Sequence, residues 1–91
     1  MALDAAHDAD VGDYYFAQKN YNAALLRYKA AVEEKAADAA IHVRLGRVFE
    51  KLQRPQEAIE QYKAAQKLAG QEKWSVEAKA ALVRLQHPPN L

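Results

Sequence analysis

Apolar residues recur at three- and four-residue intervals along nearly the whole chain, and the rhythm is interrupted by short polar, Gly- or Pro-containing turns. Val11 and Tyr15 lie one helical turn apart and predict a first helix over residues 4–18, with Asp4, Asp8 and Asp10 near its positive N-terminal end. Lys19 and Asn20 form the turn into a second helix, residues 22–35, with Ala24, Leu25, Tyr28, Ala31 and Val32 on one face. Asp38 is placed to cap a third helix, whose apolar positions are Ile41, Leu45, Val48, Phe49 and Leu52. Pro55 opens a fourth at its first turn. That helix is expected to bury Ala58, Ile59, Tyr62, Ala65 and Leu68 and to stop at Gly70, a residue suited to the left-handed conformation past a helix end. A fifth helix is predicted over residues 72–86, before Pro88 and Pro89. The fold class is all-α.

The pattern also repeats itself. Thirty-four residues separate Gly12 from Gly46, and the same offset relates Ala24 to Ala58, Ala5-Ala6 to Ala39-Ala40, and Tyr28-Lys29-Ala30-Ala31 to Tyr62-Lys63-Ala64-Ala65. A unit of this length cannot bury its apolar face alone, so the expected architecture is a stack of helical hairpins. A glycine within a helix costs about 1 kcal/mol against alanine. Its recurrence at one place in both copies argues for a helix crossing too close to admit a methyl group, with Tyr15, Phe49, Tyr28 and Tyr62 filling the space between helices.

In the first copy these residues read Val11-Gly12-x2-Tyr15 and Ala24-x3-Tyr28; in the second, Leu45-Gly46-x2-Phe49 and Ala58-x3-Tyr62. Over residues 5–72 the chain thereby resembles the tetratricopeptide-repeat family. Asp8 and His42 stand where the family pattern has Trp, and Ala36 and Gly70 where it has a loop Pro. The resemblance implies antiparallel helix-turn-helix repeats in a short right-handed superhelical solenoid. The first repeat would span 5–38, the second 39–72, a solvating helix 73–86 and a tail 87–91, all within one domain of residues 1–91. The segment from Asp10 to Phe16, followed by Asn20-Tyr21-Asn22-Ala23-Ala24, is also similar to repeats of bacterial envelope lipoproteins of the barrel-assembly type.

The family resemblance implies a non-catalytic module that binds a peptide or protein across a concave face lined by the first helix of each hairpin. Projected onto this chain, that face holds Asp10, Asp13, Phe16 and Ala17, then Val43, Arg44, Arg47, Glu50 and Lys51, with Glu77, Ala78 and Ala81 from the last helix. Arg44, Arg47 and Lys51 share one side of their helix at i, i+3, i+7 and could hold an acidic peptide or a carboxylate. Against this stands a plainer expectation, in which Asp10 and Asp13 pair with Arg44 and Arg47 and neutralise the groove. The family's chaperone adaptors hold a terminal carboxylate with a Lys and Asn clamp. Ala9 and Asp13 stand there in this chain, and an Asp repels a carboxylate, so chaperone tails are disfavoured.

Composition narrows the functions further. The 91 residues carry 13 Lys and Arg against 12 Asp and Glu, evenly spread, whereas a committed nucleic-acid binder is strongly basic. The chain has no Cys, which removes disulfides and thiolate metal sites but leaves the compartment open. No stretch approaches the roughly 18 apolar residues of a membrane span, and Met1-Ala2-Leu3-Asp4 lacks the basic, apolar start of a signal peptide. A cytoplasmic location is expected, or a periplasmic one if the chain is cut from an envelope protein.

Chemistry has little to work with. Ser75 is the only aliphatic hydroxyl, no phosphate loop or zinc-protease motif occurs, and no catalytic residue, cofactor or metal is assigned. His7 lies between Asp4 and Asp10, and His42 follows Asp38 by four residues, but neither set reaches the three or four ligands a metal requires. Both are expected as ordinary surface histidines; His87 falls in the tail.

A chain this short is expected to be marginally stable, at about 5 kcal/mol or less, and arrays of this kind want at least about three repeats. On the last helix Val76, Ala80 and Val83 are expected to pack on the fourth helix, leaving Trp74, Leu82 and Leu85 to point elsewhere. The alternative function follows: a scaffold element, or a piece of a longer protein, that self-associates as a homo-oligomer through these three residues.

Overall fold

The computed structural model describes residues 4–68 and 70–86, and within them the chain forms five helices and no strand. These are α1 (Ala5–Ala17), α2 (Tyr21–Glu34), α3 (Ala39–Lys51), α4 (Pro55–Gln66) and α5 (Glu72–Gln86). The tail 87–91, with His87, lies outside the described residues, as do Met1, Ala2 and Leu3.

Short side chains set the helix starts. Asp4 accepts a hydrogen bond from the His7 amide at 2.8 Å, Asn20 from Ala23 at 3.3 Å, and Asp38 from Ala40 at 2.9 Å, each satisfying a donor that the helix itself leaves free. α4 has no such cap and begins on Pro55, whose missing N–H is not needed at that position. Both hairpin turns are alike: Lys19 and Gln53, at equivalent places in the two repeats, adopt φ of 62° and 59°. Beyond them the Asn20 and Arg54 amides reach back to Tyr15 and Phe49, each at 2.9 Å.

α4 ends at Gln66, short of Gly70. The Lys67 amide is shared between the Lys63 and Ala64 carbonyls and Leu68 bonds to Ala65, so the last turn tightens before Gly70 reverses the chain at φ 78°.

Each helix packs on the next, and α3 also touches α5, giving a front layer of α1, α3 and α5 and a back layer of α2 and α4. The core runs between the layers through Leu25, Ile41, Val43, Leu45, Val48, Phe49 and the rings of Tyr28 and Tyr62. A Cβ at Gly12 would lie 2.5 Å from the Tyr28 ring, and one at Gly46 2.6 Å from that of Tyr62. The two glycines are therefore the slots through which back-layer tyrosines reach the front of the molecule.

The positions that lack the family's Trp carry polar pairs instead. Asp8, buried in α1, accepts from Arg27 of α2 at 3.3 Å. His42, expected at the surface, is half-buried; its Nδ1 lies 2.8 Å from Gln61 of α4 and its Nε2 2.6 Å from the Ala36 carbonyl. Gln71 then ties the second hairpin to the preceding turn, accepting from the Ala39 amide at 2.7 Å and donating to the Ala37 carbonyl at 3.1 Å.

α5 departs from the repeat. α3 starts one full repeat after α1, at Ala39 against Ala5, but α5 starts at Glu72, one position sooner than the same offset would place it. A single-position shift rotates a helical face by about 100°, and the side of α5 that faces the core is not the expected one. Leu82 is buried, and Trp74 and Leu85 are half-buried against the core, whereas Val76 and Val83 are 68% and 54% exposed. The set Trp74, Leu82 and Leu85 thus belongs largely to the internal packing, and Val76, Ala80 and Val83 form the open side.

Candidate functional site

The front layer is tied together by ion pairs from one helix to the next. Arg44 of α3 donates to Asp13 of α1 at 3.0 Å, and Arg47 of α3 pairs with Glu77 of α5, its Nε at 2.9 Å. Asp13 on α1 corresponds to Arg47 on α3 at the full repeat offset, and Arg44 on α3 corresponds to Glu77 on α5 at the shortened one. The same contact is thus used twice with its charges exchanged. A third pair links Arg84 of α5 to Glu50 of α3 at 2.5 and 3.1 Å.

Two of these carboxylates also hold the tyrosines that pass through the glycine slots. The Tyr28 hydroxyl donates to Asp13 at 2.5 Å and that of Tyr62 to Glu50 at 2.6 Å. Burial, followed by the hydrogen bond to a carboxylate, pushes both phenols well above the usual tyrosine range, so both remain protonated donors. Burial alone would raise the Glu50 carboxyl, but hydrogen bonds from Arg84 and Tyr62 outweigh it and hold the group below the usual carboxylate range.

Two adjoining cavities open beside this network. One, of about 450 Å³, is lined by Phe16, Arg47, Glu50, Lys51 and Arg84. The other, of about 510 Å³, lies between α3 and α5 and shares Arg47, Glu50 and Arg84, adding Tyr62, Glu77, Ala80 and Ala81. The first has three cations to one anion, and Lys51 is exposed and forms no ion pair among the described residues. The Trp74 ring lies nearby, with the guanidinium groups of Arg44 and Arg47 at 5.6 and 6.0 Å from its centroid and Lys73 Nζ at 4.8 Å.

Of the residues projected onto the concave face, Phe16, Arg47, Glu50 and Lys51 come together around the first cavity, and Glu77 lines the second. Asp13 and Arg44 are committed to each other. Val43 and Ala78 are fully buried, because α3 and α5 turn these positions into the packing between helices, and Ala81 shows only its edge at the second cavity. Asp10 and Ala17 are exposed but line neither cavity, and Asp10 pairs with neither arginine. Partial neutralisation of the groove does occur, with Glu77 in place of Asp10. Arg84 was not among the projected residues. Its signal was the basic position Lys51, its α3 counterpart at the shortened offset and at the same end of the front layer.

Among the described residues no three acids or histidines converge as a metal would require, and no helix is long and apolar enough to cross a membrane. A family model described as TPR repeat matches residues 12–53, and one described as tetratricopeptide repeat matches residues 39–72. Neither a curated protein nor a solved structure matches the chain.

Proposed function

Because the chain belongs to the tetratricopeptide-repeat family, whose members are generally protein-interaction modules, we propose that it is a non-catalytic module binding an acidic segment of a partner protein at the front-layer groove. The observation that carries this reading is the cavity in which Arg47, Lys51 and Arg84 surround Phe16 with Glu50 as the sole anion. A carboxylate beside an apolar or aromatic side chain matches that lining: the cations take the charge and Phe16 takes the ring. The arginines are not locked away. Arg47 and Arg84 are 42% and 58% exposed, and exposed ion pairs are worth at most about 1 kcal/mol, so an arriving carboxylate can compete with Glu77 and Glu50.

The test is calorimetric titration with a panel of short peptides carrying Asp or Glu next to Phe or Leu, against the same panel with Asn or Gln. Acidic members should bind, with affinity falling as salt rises. Lys51→Glu, at an exposed position outside every ion pair described above, should weaken them at least about tenfold, or 1.4 kcal/mol, with the helical signal unchanged. Equal affinity for the neutral panel, or for Lys51→Glu, removes the groove as the acidic-segment site.

A further inference from the structure

Each front-layer helix receives the next along one line of residues. On α1 that line is Ala9, Asp13 and Phe16; one repeat further on, it is Val43, Arg47 and Glu50 of α3. Arg44 arrives at Asp13 on the first, and Glu77 and Arg84 arrive at Arg47 and Glu50 on the second. In both cases the first residue of the line is covered, Ala9 being 7% and Val43 0% exposed. At the shortened offset that α5 follows, the corresponding residues are Val76, Ala80 and Val83. They form the same receiving face with nothing on it among the described residues, and all three are apolar.

The glycine slot of α3 has no counterpart on α5. On α3, Gly46 admits the Tyr62 ring from the back layer, and even a methyl group there would lie within 2.6 Å of that ring. The equivalent position on α5 is Lys79, whose side chain stands where the glycine slot is on α3. The open face along Val76, Ala80 and Val83 is the one left for a helix laid alongside α5.

A second copy of this chain is a poor occupant. In a two-fold pairing of α5 with itself, margins carrying Lys73 and Lys79 meet margins carrying the same lysines. Lys73 and Lys79 flank the open face on its two margins and form no ion pair among the described residues, with Glu72 as the opposing acid. We propose that Val76, Ala80 and Val83 dock an amphipathic helix of a partner protein, one with large apolar residues a turn apart and acidic residues along its edges. Ala80 lies between the two valines and lines the cavity between α3 and α5, so a Leu or Phe of the arriving helix has a recess to enter. The recess adjoins the acidic-segment site through Arg47, Glu50 and Arg84, and Phe16 and Lys51 lie outside it.

The experiment uses a synthetic helix-forming peptide about four turns long, with Leu at i, i+4 and i+7 and Glu on both margins, beside a second peptide with Lys on the margins. Amide NMR and calorimetry follow each against the wild-type chain, the V76E/V83E double variant and Lys51→Glu. The Glu-margined peptide should move the signals of Val76, Ala80 and Val83, bind at least about tenfold more weakly to V76E/V83E, and bind unchanged to Lys51→Glu. To the wild-type chain, the Lys-margined peptide should bind no more tightly than the Glu-margined one binds to the double variant. Both valines are exposed, so the helical signal of the double variant should match wild type. The proposal is overturned by absent binding, by equal affinity for V76E/V83E, or by shifts centred on Phe16 and Lys51. It is overturned equally by a concentration-dependent dimer of the wild-type chain that V76E/V83E abolishes, which would make a second copy the occupant.

Discussion

In the first hairpin Asp8 meets Arg27, and in the second His42 meets Gln61; both pairs are 19 residues apart and occupy the place where the family pattern puts a tryptophan. The first hairpin uses an ion pair and the second a His–Gln contact. α1 lies at the end of the stack and packs chiefly on α2, burying Ala5, Asp8, Ala9 and Gly12. α3 is covered by α2, α4 and α5 and buries Ala39, Ile41, Val43, Leu45, Gly46, Val48 and Phe49. Arg27 can remain 39% exposed and keep its head in water while it satisfies Asp8. An end helix and a central helix with nearly the same sequence pattern therefore carry different shares of the stability.

Truncation at equivalent positions should separate the two helices most widely. Leu45 is 2% exposed, and Leu45→Ala should cost about 3 kcal/mol. Its counterpart Val11 is only half-buried, and Val11→Ala should cost about 1 kcal/mol. Urea unfolding midpoints compare the two; equal losses would show that α1 is as firmly held as α3. The glycine slots come next. Gly46→Ala and Gly12→Ala should each destabilise by about 2 kcal/mol through overpacking, even though alanine is the better helix former. Pairing Gly46→Ala with Tyr62→Leu should recover part of the loss, since the clash is with the ring. Additive losses in the double variant would mean that the ring is not what excludes the methyl group.

The polar pairs probe the contrast directly. Arg27→Ala strands a carboxylate that is 5% exposed, at a cost of about 1–2 kcal/mol once partial screening is allowed for. Gln61→Ala removes a neutral partner from His42, which keeps the Ala36 carbonyl, and should cost about 0.5–1 kcal/mol. Thermal unfolding of the two variants under one buffer tests the order, and its reversal would show that losing Arg27 does not strand the Asp8 carboxylate.

Five helices and their hairpin pairing were legible in the chain because Gly12, Gly46, Tyr28 and Tyr62 are each needed by one contact and repeat at one offset. The direction in which α5 faces was not. Its valines and leucines occur on opposite sides of one helix, and Ala80 stands one full repeat after Gly46, which invites the wrong register. Only the length of the α4–α5 turn settles it, and a single-position difference in a turn has no strong signature in a single sequence. The groove was half legible. Arg44, Arg47, Glu50 and Lys51 were on the expected helix, but the pairing of Arg47 with Glu77 and the presence of Arg84 depend on the rotation of α5. The polar pairs left a signal in their matched spacings, which a pattern centred on apolar positions passes over.

A smaller effect tests how α5 is fastened. Arg84 and Tyr62 hold the folded Glu50 carboxyl below its unfolded value, so its contribution is present above the unfolded value near about 4.3 and is lost as pH falls through the folded one. Acid unfolding below about pH 5 should therefore be shallower in Glu50→Gln, which has no proton to take up there. An identical acid limb in the two proteins would show that the Arg84 pair does not couple α5 to α3 in solution.

The hairpin turns give the slightest change and the control for all the others. Lys19 and Gln53 both sit at φ of 62° and 59°, where a Cβ is penalised, and their amides close the same kind of turn onto Phe16 and Glu50. Glycine relieves the penalty but adds entropy to the unfolded chain, so Lys19→Gly and Gln53→Gly should each stabilise by only about 0.5 kcal/mol. The two gains should be equal, because the strain is local and does not depend on whether the helix before the turn lies at the end of the stack or in its middle. Melting temperatures of both variants decide it. A gain at Gln53 alone would mean that the first turn already opens in the folded state, and the weaker hold on α1 would then include the turn itself as well as the helix packing.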